Sequence, residues 1–144
     1  MEQLFVTSST RETQAIARDI ASQMERGTTI CLYGALAAGK TTFTQGLASF
    51  FAIPRLVSPT FIIMREYPLT THSVIKTFYH LDLYRLNSVA EIKAFDVEEI
   101  WHDPTNLIVI EWPEKFIDIL PQKRIDIFFK ATGDNEREIK IITH

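Results

Sequence analysis

The chain has 144 residues, 46% of them apolar and 23% charged, with a formal charge of −3 at pH 7. That length suits one domain with a core of its own, and the charge carries no global attraction to nucleic acid. A single cysteine, Cys31, excludes an intrachain disulfide and fits a reducing compartment, so a cytoplasmic location is expected. No run of eighteen apolar residues and no basic flank before an apolar stretch is present, so neither a membrane span nor a secretory leader is expected.

Taken in chain order, "QLFVT" (3–7) reads as a strand. Ser9 and Glu12 then stand at capping-box spacing ahead of an amphipathic helix whose buried stripe is expected at Ile16, Ile20 and Met24. "TTICLY" (28–33) is apolar on both faces, the pattern of a central strand in a covered sheet. "GALAAGKTT" (34–42) follows it directly, and "TTFTQGLASFF" continues as a helix to about Phe51. "SPTFIIMREY" (58–67) is expected to lead into a strand, with Pro59 disfavouring helix before it, and "VIKTFYHLDLYRL" (74–86) to be its hairpin partner. Ser88 and Glu91 repeat the capping-box spacing at the head of one helix, "SVAEIKAFDVEEIW", with Ile92, Phe95 and Ile100 inward. "NLIVIEW" (106–112) is a second apolar strand, "PEKFIDIL" a short helix begun by Pro113, and "RIDIFFK" with "REIKIIT" a closing hairpin.

The strand–loop–helix at 28–51 carries the chemistry. Gly34, Gly39, Lys40 and Thr41 meet the phosphate-loop pattern G-x-x-x-x-G-K-[ST]. Glycines let the backbone turn successive N–H groups onto phosphate oxygens, Lys40 supplies a point charge, and Thr41 offers a hydroxyl to Mg²⁺. The following helix adds its positive end. Ala35 and Ala37 occupy positions that the pattern leaves open. The loop closes without strain if both keep negative φ, whereas a positive φ at Ala37 stores about 1–3 kcal/mol.

A phosphate loop needs an acid to complete a Mg²⁺ site. Glu111 ends a buried strand at its carboxyl edge, where ligands bind in open α/β sheets; a salt-bridged strand-end glutamate is the alternative. Asp82, between Leu81 and Leu83, is costly to bury without a metal, a water or Arg85 as partner. His80 shares a face with Asp82 and ranks below the two acids, because a strand histidine is more often packed than catalytic. Trp101 and Trp112 read as core and surface anchors, since basic residues do not interleave with them. No Cys/His spacing suggests zinc, and no serine triad is recognisable.

The ordered set "ET" (12–13), "LYGALAAGKTTFTQGL" (32–47), "VSPTF" (57–61), "YHLDLYRL" (79–86), "IEW" (110–112) and "LP" (120–121) closely resembles the TsaE (YjeE) family of small bacterial ATPases. "SPTF" and "HLDLYR" are far more specific than the phosphate loop alone. The resemblance implies an α/β, P-loop NTPase-like three-layer fold with a central mixed, partly antiparallel sheet. It implies an ATPase, weak alone, required for threonylcarbamoyladenosine (t6A) formation at position 37 of tRNA. Expected partners are the transferase subunit TsaD and its paralogue TsaB, and ATP hydrolysis is expected to reset their complex.

By the same resemblance, Gly34, Ala35, Leu36, Ala37, Ala38, Gly39, Lys40, Thr41 and Thr42 bind ATP or ADP. Thr41 and Glu111 hold Mg²⁺, and Asp82, Lys40 and Glu111 serve hydrolysis. Thr10 lies near the base, Arg137 near the nucleotide, and Thr60 in a loop that senses the γ-phosphate. The chain departs from the usual GDLGAGKT loop, Ala35 replacing an acid and Ala37 a glycine. A nucleotide-gated binding module with little turnover and a small-molecule kinase are the competing readings. The second needs an arginine-bearing lid, whereas Arg124 and Arg137 stand isolated in sequence. Direct tRNA binding by the isolated chain is not expected, since no basic stripe is present.

Overall fold

A computed structural model describes residues 1–59 and 62–144. The strands are β1 (Glu2–Thr7), β2 (Thr29–Tyr33), β3 (Met64–Pro68), β4 (Thr77–Asp82), β5 (Asn106–Glu111), β6 (Ile125–Ala131) and β7 (Arg137–Thr143). The helices are α1 (Thr10–Ser22), α2 (Lys40–Phe50), α3 (Val89–Lys93) and α4 (Val97–His102), with a short 3-10 helix at Glu114–Ile119. The strands form one seven-stranded sheet in the order β1-β7-β6-β2-β5-β4-β3. Its centre, β6-β2-β5-β4, is parallel, and β3, β7 and β1 are antiparallel to their neighbours, so the sheet is mixed as expected.

Every residue of β2 and β5 is buried, which is why both read as unbroken apolar runs: helices cover the two faces of the parallel centre. One core lies under α1 and α2 and includes Ile30, Leu32, Phe43, Leu47, Phe78 and Val109. The other lies under α3, α4 and the 3-10 helix and includes Cys31, Leu81, Ile92, Trp101, Ile110 and Phe116. Parallel pairing brings the carboxyl ends of β2, β4 and β5 to one edge, where Glu111 is in register with both Leu32 and Asp82.

Three expectations are corrected, two of them by packing. The fully buried stripe of α1 is Thr13, Ala17 and Ala21, while Ile16, Ile20 and Met24 are only partly buried. The cause is the close approach of α2: a Cβ added at Gly46 would lie 2.8 Å from the Ala17 Cβ, so small residues face the neighbour and large ones flank it. The expected single helix after Ser88 is two helices, broken by Asp96 in the left-handed region (φ 55°). The break turns Val97 and Trp101 inward beside Ile92 and leaves Phe95 and Ile100 at the margin of the core. The β4 strand is also shorter than 74–86; it ends at Asp82, whose Oδ1 accepts the Tyr84 amide at 3.0 Å and turns the chain.

Candidate functional site

The loop after β2 is shaped by three positive-φ residues: Gly34 (149°), Ala37 (62°) and Gly39 (117°). Gly39 precedes α2 in the left-handed conformation and supplies no side-chain cap, so the first-turn amides of an eleven-residue helix are left to other acceptors. Ala37 takes the strained alternative set out from the sequence, an L-residue where glycine fits best. Leu36 and Ala37 are exposed at the tip, while the Ala38 side chain enters the core.

Lys40 opens α2 almost buried, at 5% exposure. Its Nζ donates to the Gly34 carbonyl at 2.7 Å and lies 3.6 Å from the centre of the Trp112 ring. Burial holds this ammonium below the usual lysine range, opposed by the carboxylates of Glu111, Glu114 and Asp82. The Lys40 head is thus a poorly solvated cation held against a carbonyl and a π-face, groups that an incoming phosphate can replace.

A cavity of about 410 Å³ opens above the loop. Thr10, Leu36, Ala37, Gly39, Lys40, Thr41, Thr42, Asp82, Glu111 and Arg137 all line it, so most residues singled out from the sequence meet there. Gly34, Ala35 and Ala38 do not; Gly34 contributes its carbonyl to Lys40 instead. Thr60 lies outside the described residues. Arg137, isolated in sequence, reaches the loop: its Nη2 donates to the Ala37 carbonyl at 3.2 Å, across a separation of 100 residues. Arg124 instead pairs with Asp126, its Nε 3.0 Å from Oδ1.

Several lining residues were not singled out for the site: Ser9, Thr13, Ser58, Trp112 and Asn135. Trp112 is a correction, a cavity wall rather than an anchor. The chain leaves β5 at Glu111 with Trp112 at φ 59°, which brings its ring under Lys40. The runs "ET", "VSPTF" and "IEW" already held Thr13, Ser58 and Trp112, whereas Asn135 was marked only by standing two residues before Arg137.

His80, ranked below the acids, forms the closest polar contact to one of them: its Nε2 lies 2.6 Å from Glu111 Oε2, both residues buried. Among the described residues no group of three or more His, Cys, Asp or Glu side chains is placed to hold a metal. The cavity nonetheless gathers hard oxygen donors, the Thr41 hydroxyl and the Asp82 and Glu111 carboxylates. Mg²⁺ suits such a set, because it takes one or two protein oxygens and fills its octahedron with water and phosphate. The residues present therefore fit a phosphate-bound Mg²⁺ better than a metal caged by protein alone.

The model of the family described as threonylcarbamoyl adenosine biosynthesis protein TsaE matches residues 7–139. The chain belongs to the TsaE family. It is similar to the TsaE protein of Bacillus subtilis (strain 168), 40% identical over 141 residues, covering 96% of this chain and 85% of that one. It is similar also to the Treponema pallidum (strain Nichols) TsaE protein, 34% identical over 137 residues, covering 94% of this chain and 97% of that one. The crystal structure of Bacillus subtilis YdiB superposes with a TM-score of 0.79 at 34% identity, covering 99% of this chain and 86% of that one. The TsaE likeness thus includes the loop, β4 and β5 that build the cavity. Among the described residues no helix is long and apolar enough to cross a membrane.

Proposed function

We propose that this chain binds ATP with Mg²⁺ and hydrolyses it, and that hydrolysis serves t6A formation on tRNA by resetting a transferase complex built from TsaD and TsaB. One observation carries the reading: Lys40, Thr41, Asp82 and Glu111 converge on a single cavity at the carboxyl edge of the parallel strands, above the amino end of α2. Family membership supports the t6A part.

In this reading the α2 amides and the Lys40 ammonium take the β- and γ-phosphates, Lys40 moving from the Gly34 carbonyl to phosphate oxygens. Thr41 and Glu111 hold Mg²⁺, which when bound neutralises charge building on the phosphates. Asp82 accepts a hydrogen bond from the attacking water and orients it in line with the γ-phosphate. Arg137 and Thr10 also line the cavity, and in this reading they border the nucleotide on the nucleoside side. Phosphate contact with tRNA falls to the partners, given the net charge of −3.

The test is the steady-state ATPase rate of the purified chain, alone and with TsaD and TsaB, for the natural sequence and for Lys40→Ala. Turnover that rises with the pair and disappears in Lys40→Ala is expected. Nucleotide binding with no hydrolysis under either condition overturns the ATPase reading in favour of a binding switch.

A further inference from the structure

We propose that His80 is a positioning residue that fixes the Glu111 carboxylate for cation binding; this rests on the metal-dependent nucleotide reading above. Its Nε2 lies 2.6 Å from Glu111 Oε2, with His80 3% and Glu111 9% exposed. An ionised carboxylate can only accept, so Nε2 carries the hydrogen and donates it.

The topology sets up the contact. In the parallel β4–β5 pair, His80 is in register with Val109 and Asp82 with Glu111. His80 and Asp82 therefore share one sheet face, and the imidazole reaches toward the cavity edge from one strand repeat below it. Glu111 stands at the last position of β5, in register with Leu32 on one side and Asp82 on the other. Mg²⁺ requires near-octahedral geometry and tolerates little ligand wandering. The hydrogen bond from His80 to Oε2 sets the carboxylate plane, and the remaining lone pairs of Glu111 would be presented to the cation in a fixed orientation.

The other ring nitrogen separates this role from ordinary packing. His80 Nδ1 is buried and has no hydrogen-bond partner. A histidine kept to satisfy core polarity normally has both nitrogens bonded. Here the hydrogen bond to Glu111 is the ring's only described polar contact, and a leucine would fill the same space without leaving a nitrogen orphaned. What the imidazole adds over an apolar side chain is thus delivered to Glu111. Partners that orient metal ligands in this way typically change metal affinity by about 10–100-fold when removed.

The experiment measures Mn²⁺ binding to the ADP-loaded protein by electron paramagnetic resonance, and ADP affinity in EDTA by calorimetry, for wild type, His80→Leu, His80→Asn and His80→Gln. The Leu and Asn variants are expected to lose about tenfold or more in Mn²⁺ affinity, with ADP affinity in EDTA unchanged. The Gln amide nitrogen can occupy the Nε2 position, so His80→Gln is expected to restore Mn²⁺ affinity to near wild type; Asn is too short to do so. A His80→Leu protein that melts like wild type and keeps its Mn²⁺ affinity overturns the proposal. If the leucine variant does not fold, equal Mn²⁺ affinities for Asn and Gln overturn it instead. Wild-type protein that binds ADP no more tightly with Mn²⁺ than in EDTA removes the parent reading, a failure visible before any variant is compared.

Discussion

Arg137 Nη2 donates to the Ala37 carbonyl, and its Nη1 donates to the Gly133 and Glu136 carbonyls at 3.1 and 2.8 Å. One guanidinium thus ties the β6–β7 turn to the tip of the loop after β2. Five donors in a rigid fork make this possible; an ammonium has neither the reach nor the planarity. Arg137→Ala is expected to lower ADP affinity roughly five- to tenfold, the worth of about one hydrogen bond at a half-exposed site, and Arg137→Lys to recover little of it. Calorimetric titration checks both. Unchanged affinity in Arg137→Ala shows that the loop holds its shape without the clasp.

Ala37 is held at φ 62°, where a Cβ meets the following carbonyl. Replacement by glycine relieves that strain but adds freedom to the unfolded chain, and the two effects oppose each other. The strain is the larger, about 1–3 kcal/mol against about 0.4–1 kcal/mol. Ala37→Gly is therefore expected to raise stability by about 1 kcal/mol, read as a higher urea midpoint at unchanged slope. A lower midpoint means that the Arg137 contact already holds the loop at little cost.

Much of this architecture was legible in the sequence because its signals are local. The β2 and β5 strands are covered on both faces and so appear as continuous apolar runs; the glycine spacing marks the loop; Asp82 and Glu111 stand out as acids beside buried residues. The misreadings arose where a distant surface decides. The stripe of α1 follows the closeness of α2, which spacing along α1 does not encode. The break at Asp96 serves the packing of Trp101 against the far core. The pair His80–Glu111 spans 31 residues and exists only through the β4–β5 register, while Trp112 enters the site through one backbone dihedral.

Lys40 illustrates a conflict between stability and binding. Burial is the largest influence on its ammonium and outweighs the neighbouring carboxylates, so the charged head is less favourable here than in water. Because its folded pKa is lowered, the unfolded chain binds more protons at alkaline pH, and Lys40's contribution to stability rises with pH there. Lys40→Met keeps the stem and removes the charge. It is expected to raise stability by about 0.5–2 kcal/mol and to abolish the rise in melting temperature that ADP gives the natural protein. A less stable methionine variant indicates that the Gly34 carbonyl and the Trp112 ring outweigh burial.

Cys31 works in the opposite sense. It is fully buried in β2, and burial, followed by the nearby Asp126 carboxylate, pushes its thiol well above the ordinary value of 9.0. Tyr33, on the same face, is raised from 10.0 mainly by burial, then by Cys31 and Asp126. Both groups stay protonated in the fold. The stability this confers is complete below the unfolded thiol value and is lost as pH rises above about 9, because the unfolded chain then releases a proton that the folded chain keeps. Taken alone, the thiol lowers the urea midpoint between pH 8 and pH 10, against the rise that Lys40 contributes. Comparison with Cys31→Ala isolates the thiol from the rising contribution of Lys40 and the later one of Tyr33. The variant is expected to be less stable at pH 8 by about 1–2 kcal/mol, from the cavity left by the sulfur, yet to lose less on going to pH 10. Parallel curves for the two proteins between those pH values contradict the assignment. A disulfide reagent gives an independent check: Cys31 should stay unmodified in the native protein at pH 8 and react fully once urea unfolds it.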